Sequence, residues 1–371
     1  MGRLAGLAAA GVLASGGAAH AATLEIQNAA VRVVVIPEAR ADVSVTVVHA
    51  NPRPPLKVST GPLGDVIVDG GFGYGRLGPP LAGIQLWLWQ RPATCGPAGP
   101  GGWMWVLGLG QVTYEDLPQV VARVPMDARV SADAAVFGEI GPAGRVELKA
   151  SRCGAWTIAN VQGPLVIRNT GAARIRAGDA ARMTLIATSL GSIEARNASA
   201  DLDARNTGSG DIKVARASGA IAARVTSSGS IHIGGGDASD VHTLTTGSGD
   251  IRFGGRAKTV QAGITSLGGI DLASVSDTLD VSITGSGNMG VDRADGAVRA
   301  RLSSLGALRV ADGHATSVSA KVSGSGGVSF GGTADRLDAR TSSFGGVRVG
   351  RVLGAMDTAS SGSGRIVVAG R

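Results

Sequence analysis

Residues 188–231 read TSLGSIEARNASADLDARNTGSGDIKVARASGAIAARVTSSGSI, and variants of that phrase recur to the end of the chain. Each copy is centred on a glycine: Gly191, Gly210, Gly229, Gly249, Gly268, Gly287, Gly306, Gly326, Gly345 and Gly364, spaced 19 or 20 residues apart. Self-similarity at a fixed period of this kind marks a solenoid. Two residues after the glycine stands an apolar side chain, as in Ile193, Ile212, Ile231 and Ile251. Two further on comes a second, as in Val214, Ile233 and Phe253, with Lys213, His232 and Arg252 between the pairs. In-out-in alternation describes a strand with one face buried.

The same alternation precedes the glycine. Leu202, Ile221, Val241 and Val260 lie eight residues before it, and the smaller Ala204, Ala223, Thr243 and Ala262 six before. Each unit therefore supplies two short strands and two bends, with no stretch of 3.6 periodicity for a crossover helix. Coils of this length, stacked at about 4.8 Å, form a parallel β-helix. Right-handed winding is expected, because parallel crossovers overwhelmingly take that hand. The expected fold is thus all-β: a parallel β-helix of about 19 residues per coil over residues 131–371, preceded by a β-rich region over 22–130.

A finer pattern runs through the turn. Three residues before each glycine there is a hydroxyl, from Thr188 and Thr207 to Ser342 and Ser361. The next position alternates between serine and glycine, as Ser189, Gly208, Ser227 and Gly247 do, so the true repeat is a pair of coils. The invariant glycine suits either a positive φ or close stacking of backbones. Immediately before it, Leu190, Leu267, Leu305 and Phe344 interrupt a column of serines. Large and small residues can interdigitate along a turn; the sharper expectation is an exposed apolar ridge that docks a partner.

The repeated Gly-Ser-Gly-Asp-Ile at 208–212 and 247–251 resembles the bacterial auto-transporter adhesin, head GIN domain family over residues 115–371. The resemblance implies an exported β-helical protein, and the family name implies adhesion. One departure is that no stretch looks like an auto-transporter's membrane barrel; the repeats run to Arg371.

The first residues agree with export. Met1 to Arg3 is a short basic start, Leu4 to Leu13 is small and apolar, and Ala19-His20-Ala21 is an A-x-A cleavage site. Residues 1–21 are therefore expected to be a signal peptide, leaving a mature chain without a transmembrane segment. Short β-branched runs follow at Leu24–Ile26, Val31–Ile36, Val43–Val48, Leu56–Val58 and Val66–Val68. Ile84–Trp89 and Trp103–Leu109 resemble a hairpin that carries Trp87, Trp89, Trp103 and Trp105, either as packing or as a sugar-stacking surface. Leu117–Pro125 is similar to the strand-to-proline lead-in of related exported repeat proteins. Coils of poorer register are expected from Val136, with Trp156 and Ile175 inward, and the region before them should cap the solenoid's open end. Cys95 and Cys153 are expected to form a disulfide, since two cysteines of an exported protein are more readily bonded than metal-binding.

Chemistry-bearing patterns are sparse. Gly73 to Gly78 matches G-x-G-x-x-G, but Pro79-Pro80 forbids the helix that motif needs. His49, His232, His242 and His314 have no metal-like spacing. Asp211 and Asp250 share a column two coils apart, about 9–10 Å, which is just conceivable for an inverting glycosidase. The net charge is +7, yet residues 188–371 hold 19 Lys/Arg against 16 Asp/Glu, interleaved as on a solvated surface. Nucleic acid is therefore not the expected partner, and no cofactor or metal is expected. Two functions remain. One is a non-enzymatic, adhesin-like binding protein that engages a glycan polymer or an envelope protein in the periplasm or at the cell surface. The alternative is a polysaccharide lyase or hydrolase on the same scaffold.

Overall fold

The computed structural model describes residues 22–53, 55–61, 64–71, 94–106 and 110–370. The expected signal peptide lies outside them. The described residues form no helix; parallel coils of about 19 residues stack into a β-solenoid of about 13 turns. Consecutive coils pair in register: Ile193 stands beside Ile212, Ile212 beside Ile231, and Ile231 beside Ile251. The strands before the turn do the same, Leu202 with Ile221 and Ile221 with Val241. A single apolar core runs the length of the stack, from Ala22 to Val352. Each Val, Ile or Leu it buries contributes roughly 1.5–3 kcal/mol before conformational entropy is charged. Trp156 and Ile175 fill the early coils from inside.

Alternation continues through the turn itself, which adds an inward column absent from the apolar pattern. Four residues before the turn glycine, Asn206, Val225, Thr245, Ile264, Ile283 and Leu302 are all buried. Two of its polar members bond within their own turn. Asn206 Nδ2 donates to the Gly210 carbonyl at 2.6 Å, and Thr245 Oγ1 donates to the Gly249 carbonyl at 3.1 Å. The turn glycines themselves are not in the left-handed region. They are glycine because rungs stack too closely for a Cβ: one added at Gly229 would lie 2.6 Å from Asn206 Nδ2 and one at Gly287 2.8 Å from Ile264 Cγ2.

The coils begin earlier than the repeat pattern indicates. Strand β1 (Thr23–Glu38) joins the two runs Leu24–Ile26 and Val31–Ile36 into one element, with Asn28 at φ 49° where the register shifts. It pairs in parallel with Asp127–Ile140, so it is a rung of the stack, and the expected boundary at residue 131 falls inside that second strand. The other edge of β1 is covered. After β2 (Ser44–His49) and β3 (Lys57–Thr60), β4 (Val66–Asp69) pairs with its first half. Following β5 (Thr94–Cys95), β6 (Trp103–Val106) and β7 (Gly110–Thr113), β8 (Gln119–Pro125) pairs with its second half. Antiparallel β2 and β3 then line the outer edges of β8 and β4. An open end of the ladder is closed in this way.

Strands β5, β6 and β7 form a separate antiparallel sheet. It lies against the outside of the first coils, where Met104, Val106, Val112 and Leu117 bury Ala30, Ala135 and Phe137. Cys95 and Cys153 are joined in a disulfide with Cα atoms 5.7 Å apart, linking this sheet to an early coil.

Candidate functional site

Of the groups singled out above, the residues before the turn glycines form the most continuous surface. Leu190, Leu267, Leu305 and Phe344 are 72%, 70%, 66% and 75% exposed, values that exclude burial between turns. They share one column on the solenoid edge. The last three stand at every second coil, about 10 Å apart, with Ser286 and Ser325 between them. The coil rise sets that spacing, and the β-ladders on both sides of the turn keep it rigid.

A groove flanks this ridge on each side in the C-terminal coils. The first, of about 470 Å3, lies toward the preceding strand and is lined by Arg301, Lys321 and Arg340 with the hydroxyls of Ser303, Ser323 and Ser342. Arg301 is held by Asp280 at 3.2 Å, and Arg340 by Asp357 at 2.9 Å and Asp338 at 3.4 Å. Ser323 Oγ donates to the Leu302 carbonyl at 3.4 Å; among the described residues no other hydroxyl of that column is hydrogen-bonded. The second groove, of about 670 Å3, lies beyond the glycines and is lined by Arg309, Arg348 and Arg365, with Phe344 at its wall. No carboxylate lines either groove.

The aspartates of the Gly-Ser-Gly-Asp phrase have a backbone role. Asp211 accepts a hydrogen bond from the Ser230 amide at 3.0 Å, and Asp250 accepts one from the Gly269 amide at 2.8 Å. Asn288 does the same for the Ala307 amide at 3.0 Å. Both carboxylates considered for acid–base work thus cap the next coil of their own solenoid. Further along, a hydrogen bond from the His314 amide, opposed next by burial and aided by Arg293, holds the Asp295 carboxyl below its ordinary range. Among the described residues no three His, Cys, Asp or Glu side chains gather as metal ligands would, and no helix is long and apolar enough to cross a membrane.

The tryptophans divide. Trp87 and Trp89 lie outside the described residues, as does the strand expected to pair with Trp103–Leu109. The described partners of β6 are β5 and β7 instead. Trp103 and Trp105 are half-buried, and the Trp103 indole packs so closely over Gly96 that a Cβ there would lie 2.6 Å from Nε1. Trp103 therefore already has a packing role on the Pro/Gly loop. The sequence reading missed the second groove, because its arginines come from two outward columns and three different coils. The signal present was the lack of any acid in those columns after Asp271. No family model, no curated protein and no solved structure matches the chain.

Proposed function

We propose that this chain is an exported, non-enzymatic binding protein of the adhesin type, which engages a polymer or protein partner of the cell envelope along its turn edge. One observation carries the reading: a straight, rigid ridge of large apolar side chains, 66–75% exposed, stands where the coil repeat alone would place serine. Solvated turns gain nothing from leucine or phenylalanine, whereas a surface that desolvates against a partner does. Export is supported by the leader-like residues 1–21 and by the Cys95–Cys153 disulfide, which persists only in an oxidising compartment. The head GIN resemblance of residues 115–371 supports the same class. A lyase or hydrolase is the weaker reading, since Asp211 and Asp250 are engaged with backbone amides.

The test is a sedimentation assay of the mature protein with envelope fractions of the producing cells. The triple variant Leu267→Ser, Leu305→Ser, Phe344→Ser should lose binding while its melting temperature stays within a few degrees of the parent. Undiminished binding by the folded variant would refute the ridge as the binding surface.

A further inference from the structure

Resting on that binding reading, we infer that the second groove is a site for a carboxylate-bearing polysaccharide, a chain of uronic acid units. Charge is segregated along this face. In the two outward columns after the turn, Glu194, Asp211, Asp250 and Asp271 outnumber Lys213 and Arg252 in the earlier coils. From Asn288 onward the same columns hold Arg309, Arg348 and Arg365 and no acid. Several arginines on the coils are neutralised by neighbours, as Arg176 is by Glu194 and Arg252 by Asp271, while others, such as Arg216, Arg224 and Arg336, have no ion pair among the described residues. What sets this groove apart is that three arginines line it with no carboxylate beside them. The side chains of Arg309, Arg348 and Arg365 make no ion pair or hydrogen bond among the described residues. Three guanidinium groups are thus left to an outside anion.

Their placement matches a linear anion better than a point one. Arg309 pairs laterally with Ser329, and Ser329 with Arg348, so the two arginines stand two rungs apart, roughly 10 Å. Arg365 sits one rung beyond Arg348 and two residues along, roughly 8 Å away. Between them Gly327, Gly346 and Ser329 keep the groove floor low. Phe344, at the groove wall, offers an exposed ring to the apolar face of a sugar. A guanidinium fork binds a carboxylate through two parallel hydrogen bonds, giving orientation as well as charge. The strands hold all three forks in place beforehand, so little ordering is lost on binding. A neutral glycan would leave the arginines unmatched. A duplex nucleic acid would need a broader basic surface, and the ridge of Leu305 and Phe344 bounds this one on one side.

The site can be tested by calorimetric titration of the mature protein with polygalacturonate, with a neutral glucan and a DNA duplex as comparisons. Polygalacturonate should bind, the glucan should not, and DNA should bind at least tenfold more weakly. Arg309→Gln with Arg348→Gln should weaken polygalacturonate at least tenfold without moving the melting temperature. Lys213→Gln with Lys258→Gln, which removes equal charge elsewhere, should change it less than threefold. Absent binding, equal loss in both double variants, or DNA binding as tight as polygalacturonate would each overturn the assignment. The envelope assay separates the two levels. If the Arg309/Arg348 variant still sediments with envelope fractions, only the ligand assignment fails; if the unaltered protein does not sediment, the binding reading itself fails.

Discussion

Replacing Gly268 by alanine adds a single methyl group at a place where two rungs approach closely. Its Cβ would fall inside hard contact with the Gly249 carbonyl oxygen and 2.6 Å from Thr245 Oγ1, whereas Cβ atoms essentially never come within 3.0 Å of another atom. The opposing group is backbone, so no side-chain rotation relieves it. Separating the rungs strains the Gly268 amide bond to the Gly247 carbonyl (2.9 Å) and its neighbours, Thr265 to Thr245 (3.0 Å) and Ile251 to Gly269 (3.0 Å). Overpacking costs about 1–3 kcal/mol, and weakening one of these bonds adds about 0.5–1.5 kcal/mol, for a loss of about 1.5–4.5 kcal/mol. Gly235 is the internal control: it is not left-handed, and a Cβ there would meet nothing within 4 Å. Gly235→Ala should be neutral or stabilise by about 0.4–1 kcal/mol through the unfolded chain. Urea unfolding followed by circular dichroism compares the two, with the midpoint falling only for Gly268→Ala. Equal midpoints would refute close stacking as the reason for the repeated glycine.

Two further perturbations follow from the same geometry. Deleting Asp211–Gly249 removes two coils and keeps the alternation of the turns, whereas deleting Asp211–Gly229 removes one and sets the Gly247 turn on the Gly208 turn. The single-coil deletion should be less stable by an extra ~1–2 kcal/mol in urea, and equal stability would show that the alternation is not a packing device. The unreduced, unfolded protein should titrate no free thiol, and replacing Cys95 and Cys153 by serine should cost ~2–4 kcal/mol for their sequence separation of 58 residues. A double variant as stable as the parent would mean that the outer sheet is held by its apolar contacts alone.

Most of the solenoid was legible because every inward position recurs two residues from the next; large apolar residues, chiefly Val, Ile and Leu, mark three of those columns and mostly alanine a fourth. The fifth column was hidden by its mixed chemistry. Asn206, Thr245 and Thr341 are polar yet buried, and their partners are turn carbonyls and a hydroxyl that only the folded coil brings near. Strand β1 was obscured by its own irregularity, since the register shift at Asn28 splits one long strand into two short apolar runs. Buried Ala30, Ala135 and Phe137 break the rule that outward positions are polar, because the β5–β7 sheet covers them. The ridge was visible as a column, but whether its teeth were buried depended on the turn's direction, which periodicity does not encode. The arginine groove needed the lateral register of three coils, a quantity absent from any single repeat.

Hydroxyl-radical footprinting of the mature protein, with and without polysaccharide isolated from the producing envelope, tests the central claim most directly. Leucine, phenylalanine and tryptophan all report in one experiment, so ridge and outer sheet are compared side by side. Binding along the turn edge predicts several-fold protection of Leu305 and Phe344, with Trp103 and Trp105 unchanged. Protection of Trp103 and Trp105 with Leu305 and Phe344 still fully reactive would contradict it, and would make the solenoid a spacer for an N-terminal binding surface.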